Sequence, residues 1–197
     1  LPGTSNVDEQ DVNNSYSRIQ NPLKRVQEEL FWFYKNDDKE ALDYLVKGDF
    51  NAAKNIWENY IKNNPNTVSA GNALHNLAIL EHALIIGREK ERAKRSPGAS
   101  DSWQAVFELW KKVCETESCW KYHLERIIYW NDPKITEGYI NRFRQRELPE
   151  LILRLNLNIA QAALSEQKLD YAGQHVDLVE KSGFSKEVID KVLKDFF

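Results

Sequence analysis

The chain has 197 residues and a formal net charge of -3, and hydrophobic residues make up 42% of it. That length supports one large domain or two small ones, and the composition is typical of a soluble globular protein. The acidic balance argues against a dedicated nucleic-acid-binding protein, and no run of about 18 apolar residues predicts a membrane span.

The first residues, LPGTSNVDEQDVNNS, are polar and lack the apolar core of a signal peptide. Their apolar surface is too small to offset the entropy lost on ordering. We therefore expect residues 1–17 to form a flexible tail or a remnant of a recombinant extension. A single folded domain is expected over residues 18–197.

Capping signals predict where the helices of this domain begin and end. Asn21 caps a first helix that extends from Pro22 to Phe33. Gly48 ends a second helix, because glycine takes the left-handed conformation without steric cost. The remaining boundaries follow from the same kinds of signal: Asp37 or Asp38 caps the second helix, Asp49 caps a third that stops at Asn64-Pro65, and further helices span 67–94, 101–115, 118–130, 134–147, 149–166, 169–181 and 185–197.

Apolar residues recur at three- and four-residue steps, which is the period of a helix with one buried face. Residues 67–94 are apolar nearly all round at their start, so this helix is expected to be central. Its charged end, REKERAKR, and the turn SPGAS predict an extended hairpin over about 85–102. Pro149 disfavours the αR conformation at Leu148, which predicts a break or kink there. The predicted fold class is all-α, built from antiparallel helical hairpins.

The stretch GDFNAAKNIWENYIKNNP, residues 48–65, combines a glycine turn, a small residue and large aromatics at informative spacings: Gly48, Asp49, Phe50, Ala53, Trp57, Tyr60 and Pro65. These spacings resemble the second half of a tetratricopeptide repeat, although Tyr60 stands where that family has a small residue. FNAAKNIW at 50–57 recurs as WQAVFELW at 103–110, and NLA at 76–78 recurs as NIA at 158–160. The resemblance implies a degenerate stack of tetratricopeptide-like hairpins.

A second resemblance covers the first two-thirds of the chain. RIQNPLKRVQEELFWF at 18–33, HNLAILEHA at 75–83 and the Trp-rich helix after them look like the helical region that follows J-like domains in some bacterial DnaJ-related proteins. The His-Pro-Asp signature of a J domain is absent from this sequence. This resemblance therefore implies only a chaperone-associated scaffold or adaptor.

No pattern indicates an active site, a metal or a cofactor. His75 and His82 lie seven residues apart, whereas a zinc-binding helix needs histidines one turn apart and a further ligand. Cys114 and Cys119 point to different sides of one predicted helix, and we expect both to be reduced in a cytoplasmic protein. The tryptophans mostly fall on apolar stripes and are expected in the core, with one or two left as partner anchors: Trp32, Trp57, Trp103, Trp110, Trp120 and Trp130.

The tetratricopeptide resemblance also implies where a partner binds. In that family the first helix of each repeat lines a groove, and the asparagine of an Asn-Leu-Gly/Ala motif contacts the ligand's main chain or terminal carboxylate. Asn76 and Asn158 match this position, and a carboxamide offers both a donor and an acceptor. Asn72 and Arg154 lie one turn earlier on the same faces, and Arg154 suits a carboxylate. The alternative is that both asparagines cap buried main chain or bridge helices.

Basic residues form two clusters, namely Arg88, Lys90, Arg92, Lys94 and Arg95, and then Arg142, Arg144 and Arg146. If the extended hairpin folds near helix 134–147, they would form one positive surface for phosphate backbones or acidic peptide. Interleaved Glu89, Glu91 and Glu147 support the alternative of ordinary solvated helices. The expected function is a non-enzymatic scaffold that binds a peptide, a partner domain or another part of its own chain. The alternative function is an RNA- or phosphate-binding domain.

Overall fold

The computed structural model describes residues 20–35, 39–95, 102–130 and 133–197. These residues form helices and no strand, which confirms the all-α class. The α-helices are α1 Pro22–Glu29, α2 Lys39–Val46, α3 Phe50–Asn63, α4 Val68–Arg95, α5 Ser102–Glu115, α6 Glu117–Trp130, α7 Glu137–Arg142, α8 Leu148–Ser165, α9 Leu169–Glu180 and α10 Lys186–Phe196. The predicted tail at 1–17, the cap at Asp37 or Asp38, and the tip of the extended hairpin at 96–101 lie outside the described residues.

Local capping explains where the first helices begin and end. Asn21 Oδ1 accepts a hydrogen bond from the main-chain N–H of Leu23 at 3.0 Å, and Asp49 Oδ1 accepts one from that of Ala52 at 3.0 Å. Gly48 has a φ of +79°, so the turn between α2 and α3 uses the left-handed conformation. These three predicted signals are confirmed.

Helix α1 is shorter than predicted, because it ends at Glu29 and not at Phe33. The chain tightens into a turn and continues as an irregular segment through residue 35. Side chains of α4 bind main-chain groups of Leu30 and Tyr34 in this segment. Long-range hydrogen bonds therefore replace the helical ones, which is a tertiary effect that local capping signals do not contain.

The long helix α4 forms the centre of the first half of the fold, where it packs against α3, α5 and α6. Its residues 70–80 are all buried, as expected for a helix that is apolar nearly all round. Gly71 permits a close approach to α6, since a Cβ atom there would lie 2.4 Å from the main-chain carbonyl carbon of Ser118. Cys119 Sγ also lies 3.3 Å from the Gly71 carbonyl oxygen.

Helix α8 has the corresponding position in the second half and packs against α9, α10 and α5. One large apolar core runs through both halves, and a smaller cluster around Ala53 and Trp57 joins α2, α3 and α4. Four tryptophans are buried, as expected: Trp57, Trp103, Trp110 and Trp120. Trp32 is exposed, and the side chain of Trp130 lies outside the described part. None of the helices described is long and apolar enough to cross a membrane.

The connection between α7 and α8 differs from the predicted break. The π-helical turn Phe143–Glu147 joins them directly, and Leu148 itself is αR with φ −64° and ψ −50°. Pro149 has no N–H to donate, and its ring would clash with the preceding turn of an α-helix. The wider π turn just upstream accommodates this defect, so the disturbance at Pro149 takes the form of a π bulge within one continuous helical path.

Candidate functional site

Asn76, a predicted partner-binding residue, contacts the chain's own main chain. Its Oδ1 accepts a hydrogen bond from the N–H of Tyr34 at 2.8 Å, and its Nδ2 donates to the carbonyl of Tyr34 at 2.9 Å. Asn76 has no exposed surface. The carboxamide thus satisfies both main-chain groups of one residue in the irregular segment after α1, in the way that a β-strand satisfies its neighbour.

The side chains around Tyr34 fix this contact. The ring of His75 stacks on the Tyr34 ring with centroids 4.1 Å apart, and the Tyr34 hydroxyl hydrogen-bonds to His123 Nε2. His75 Nε2 donates to the carbonyl of Leu30 at 2.6 Å. Burial lowers the pKa of His75 to about 4, so the ring is neutral at pH 7 and its proton sits on Nε2. Leu30 and Tyr34 are thus held by side chains of α4 and α6.

Asn72 lies one turn before Asn76 and is also buried. Its Oδ1 is enclosed and accepts no hydrogen bond from the residues described. The predicted pair on α4 therefore faces the protein interior, with Asn76 holding the segment after α1.

Asn158, the equivalent residue on α8, is exposed and lies at a pocket of about 330 Å³ between α8 and the far part of α4. That volume is at the lower end of the range of ligand pockets, about 300–1,000 Å³. The pocket walls are mainly apolar: Ile86, Leu155, Ile159, Ala162 and Ala163. Lys90 and Lys168 line it as well.

One carboxylate lies deep in the wall of this pocket. Glu89 is 1% exposed, and the hydroxyl of Tyr171 donates a hydrogen bond to its Oε2 at 2.5 Å. Glu89 also lies near the buried ring of His175 and counteracts the lowering of that histidine's pKa by burial. The pocket therefore combines apolar walls with a buried polar group and an exposed carboxamide.

Arg154 does not point into this pocket but bonds to Asp195 on α10. The hydrogen bond from Arg154 lowers the pKa of Asp195. The guanidinium therefore already has a carboxylate partner within the chain, which ties α8 to the C-terminal helix.

Four residues of the two basic clusters have acidic partners. Arg88 lies 3.7 Å from Glu81, which in turn binds Lys54 at 2.6 Å. In the second cluster the pairs are Arg142 with Glu147 at 3.1 Å, Arg144 with Glu117 at 2.7 Å and Arg146 with Glu187 at 3.4 Å. The side chains of Arg92, Lys94 and Arg95 lie outside the described residues. Arg88 and Glu81 both lie on α4, whereas Arg144 and Arg146 pair with acids of α6 and α10.

Among the described residues, no group of three or more His, Cys, Asp or Glu side chains could hold a metal ion. Burial lowers the pKa of His82 to about 4, and its Nδ1 accepts a hydrogen bond from Trp110 Nε1 at 3.1 Å. The prediction that one helix carries both cysteines is wrong, because Cys114 lies in α5 and Cys119 in α6. The two are not joined by a disulfide, and burial raises the pKa of each thiol to about 12.

The chain matches no family model, no curated protein and no solved structure at a significant level.

Sequence reasoning identified Asn76 and Asn158 but missed the residues that complete the two sites. Tyr34 and His123 lie 89 residues apart in sequence, and Glu89 and Tyr171 lie 82 apart. None of these side chains belongs to a spaced motif, so only the packing of distant helices brings them together.

Proposed function

We propose that the chain is a non-enzymatic scaffold of tetratricopeptide-like hairpins that binds polypeptide. One observation carries this proposal: the Asn76 carboxamide bonds both the N–H and the carbonyl of Tyr34. These bonds recognise main chain, which every polypeptide has, and they hold a segment that is not part of a regular helix. The partner in this structure is another part of the same chain.

The pocket beside Asn158 is the place where an external partner contacts the second half of the fold. Its apolar walls suit one large apolar side chain, and the exposed carboxamide at its edge suits the adjoining main chain. Leu164 and Leu169 are exposed at the neighbouring α8–α9 turn and extend the apolar surface. A buried apolar anchor within a partly polar rim is the usual arrangement of a binding hot spot.

The ion pairs favour a protein partner over nucleic acid. The three arginines of the second cluster each lie within 3.4 Å of a carboxylate, so their charge is locally compensated. A phosphate backbone would have to compete with these acids. The weaker resemblance to DnaJ-related helical regions agrees with a scaffold role and adds no specific partner.

The test begins with peptides selected from a displayed random library on the intact chain. Their dissociation constants are measured by fluorescence anisotropy for the parent and for Ile159→Glu, which places a charge in the pocket wall. The matched control is Gln161→Glu, on the exposed part of the same helix and outside the pocket. We expect Ile159→Glu to weaken binding at least about tenfold, since an uncompensated charge is costly in an apolar site, and Gln161→Glu to leave it unchanged.

Ionic strength separates the two candidate partners. A protein that neutralises 6–10 phosphates loses about 10³–10⁵ in affinity between 50 and 200 mM salt, whereas peptide in an apolar pocket responds weakly. The proposal fails if no peptide binds, if both glutamate variants weaken binding equally, or if single-stranded RNA binds with that steep dependence.

A further inference from the structure

Residues 22–35 pack on the other helices as a short helix followed by an irregular segment. Their buried apolar and aromatic side chains are Val26, Leu30 and Tyr34, spaced by four residues, with exposures of 3%, 1% and 5%, and Glu29 is buried beside them at 6%. On the other side of the segment Trp32 is 55% exposed, whereas Phe33, 38% exposed, stacks on the ring of Trp57 with centroids 5.8 Å apart. The segment therefore has one buried face and one partly exposed face.

The bundle contacts the main chain of this segment as well as its side chains. The Tyr139 hydroxyl donates to the carbonyl of Leu23 at 3.4 Å, and His75 Nε2 donates to that of Leu30 at 2.6 Å. Asn76 binds both main-chain groups of Tyr34. Side chains of the bundle thus bind main chain at three points along the segment, which is how a peptide ligand is usually held and differs from the side-chain packing of a helical hairpin.

Two side-chain sites add selectivity to this surface. Leu30 is enclosed in the large apolar core. Tyr34 stacks on His75, and its hydroxyl bonds to His123, so this position selects an aromatic ring that carries a hydroxyl. An eight-residue helix such as α1 is too short to be stable in isolation, so its structure depends on the surface that it covers.

We propose that this surface is a binding site for a polypeptide that carries leucine and tyrosine four residues apart, and that residues 22–35 occupy it as an intramolecular ligand which such a partner displaces. The inference rests on the proposed function and names the partner and the regulation of the Asn76 site. An external partner competes with a tethered segment whose effective concentration is on the order of millimolar. Its apparent affinity equals the intrinsic affinity multiplied by the fraction of molecules in which the segment has left the surface.

The direct test uses a fluorescein-labelled peptide with the sequence of residues 20–35, QNPLKRVQEELFWFYK, as the probe. It is titrated into the intact parent chain and into a release variant that combines Leu30→Ala with Tyr34→Ala. The release variant loses the two anchors of its own segment and keeps every residue of the surface that binds them. We expect it to bind the probe at least about tenfold more tightly than the parent does.

Two controls define the site. Adding Asn76→Ala to the release variant is expected to remove most of the binding, and a probe with alanine in place of the tyrosine is expected to bind poorly. Equal binding of the probe to parent and release variant, or no binding to a folded release variant, overturns the proposal.

Amide hydrogen exchange on the unmodified chain provides a test that needs no variant. Displacement requires residues 30–35 to open locally, so the Tyr34 amide is expected to exchange about 100-fold or more faster than buried amides of α4. If the Tyr34 amide and the buried amides of α4 exchange at the same rate, through global unfolding alone, the proposal is contradicted. If display-selected peptides still bind through Ile159 while the 20–35 probe does not bind, only the present inference fails and the proposed function stands.

Discussion

Replacing Gly71 with alanine tests the closest helix contact in the fold. The added Cβ would lie 2.4 Å from the carbonyl carbon of Ser118, 2.6 Å from its oxygen and 2.6 Å from the nitrogen of Cys119. All three are main-chain atoms, so no flexible side chain can move aside. An ordinary contact needs about 3.4 Å or more, so α4 and α6 would have to separate by roughly 1 Å, and overpacking of this kind costs about 1–3 kcal/mol.

A matched control removes the effect of helix propensity. Gly87 lies on the same helix, and a Cβ there meets no atom of the described residues within 4 Å. Both substitutions gain about 0.8–1.0 kcal/mol from the higher helix propensity of alanine, so that gain cancels in the comparison. Gly71→Ala is therefore expected to be about 1–3 kcal/mol less stable than Gly87→Ala.

The assay is urea unfolding followed by circular dichroism, with the free energy of unfolding extrapolated for the parent and both variants. Gly87→Ala is expected to equal or exceed the parent in stability, and Gly71→Ala to fall below Gly87→Ala by the amount given. If the two variants have the same free energy of unfolding, the close approach of α4 to α6 is wrong.

Further predictions concern the core, the histidines and a thiol. Trp57→Ala is expected to cost about 3–5 kcal/mol in unfolding free energy because it leaves a cavity, whereas the exposed Trp32→Ala should change it by less than about 0.5 kcal/mol; equal effects in urea unfolding would contradict this packing. His75 and His82 have folded pKa values lowered to about 4. As the pH falls below about 6.5, these histidines bind protons in the unfolded chain but not yet in the folded one. Each should therefore lower the free energy of unfolding by about 2 kcal/mol at pH 5 relative to pH 7. If the urea midpoint of unfolding is the same at pH 5 as at pH 7, these rings are not buried and neutral. Cys119, whose pKa burial raises to about 12, should react with a thiol reagent only as fast as the protein unfolds, and rapid labelling of the native protein at pH 8 would count against its burial.

The fold class follows from the sequence because its determinants are local. The three- and four-residue recurrence of apolar positions, the caps at Asn21 and Asp49, and the glycine turn at Gly48 each act within a few residues. Local signals fail where distant groups compete with them. Helix α1 ends early because Asn76 binds the main chain of Tyr34. The two residues lie 42 apart in sequence, and no capping rule contains such a distant contact.

The candidate site is only half predictable for the same reason. Asn76 and Asn158 were predicted from the tetratricopeptide resemblance to bind a partner, and that role stays a prediction. At Asn76 the structure agrees with the alternative interpretation, an asparagine that binds buried main chain of its own protein, while Asn158 borders a pocket. The sequence contains no signal that the main chain bound by Asn76 belongs to the same protein. Nor does it show that Arg154 is paired with Asp195, since the two lie on helices that meet only in the folded chain.

Removing the main-chain N–H of Tyr34 from the peptide tests directly whether Asn76 recognises polypeptide main chain. A 20–35 peptide with an ester in place of the amide at Tyr34 lacks the donor and keeps every side chain. Its affinity and that of the amide peptide are measured on the Leu30→Ala, Tyr34→Ala variant, with and without Asn76→Ala. We expect the ester to bind about tenfold more weakly when Asn76 is present, which is the value of roughly one buried hydrogen bond, and this difference to disappear without Asn76. The same loss in both backgrounds, or no loss in either, would contradict main-chain recognition by Asn76.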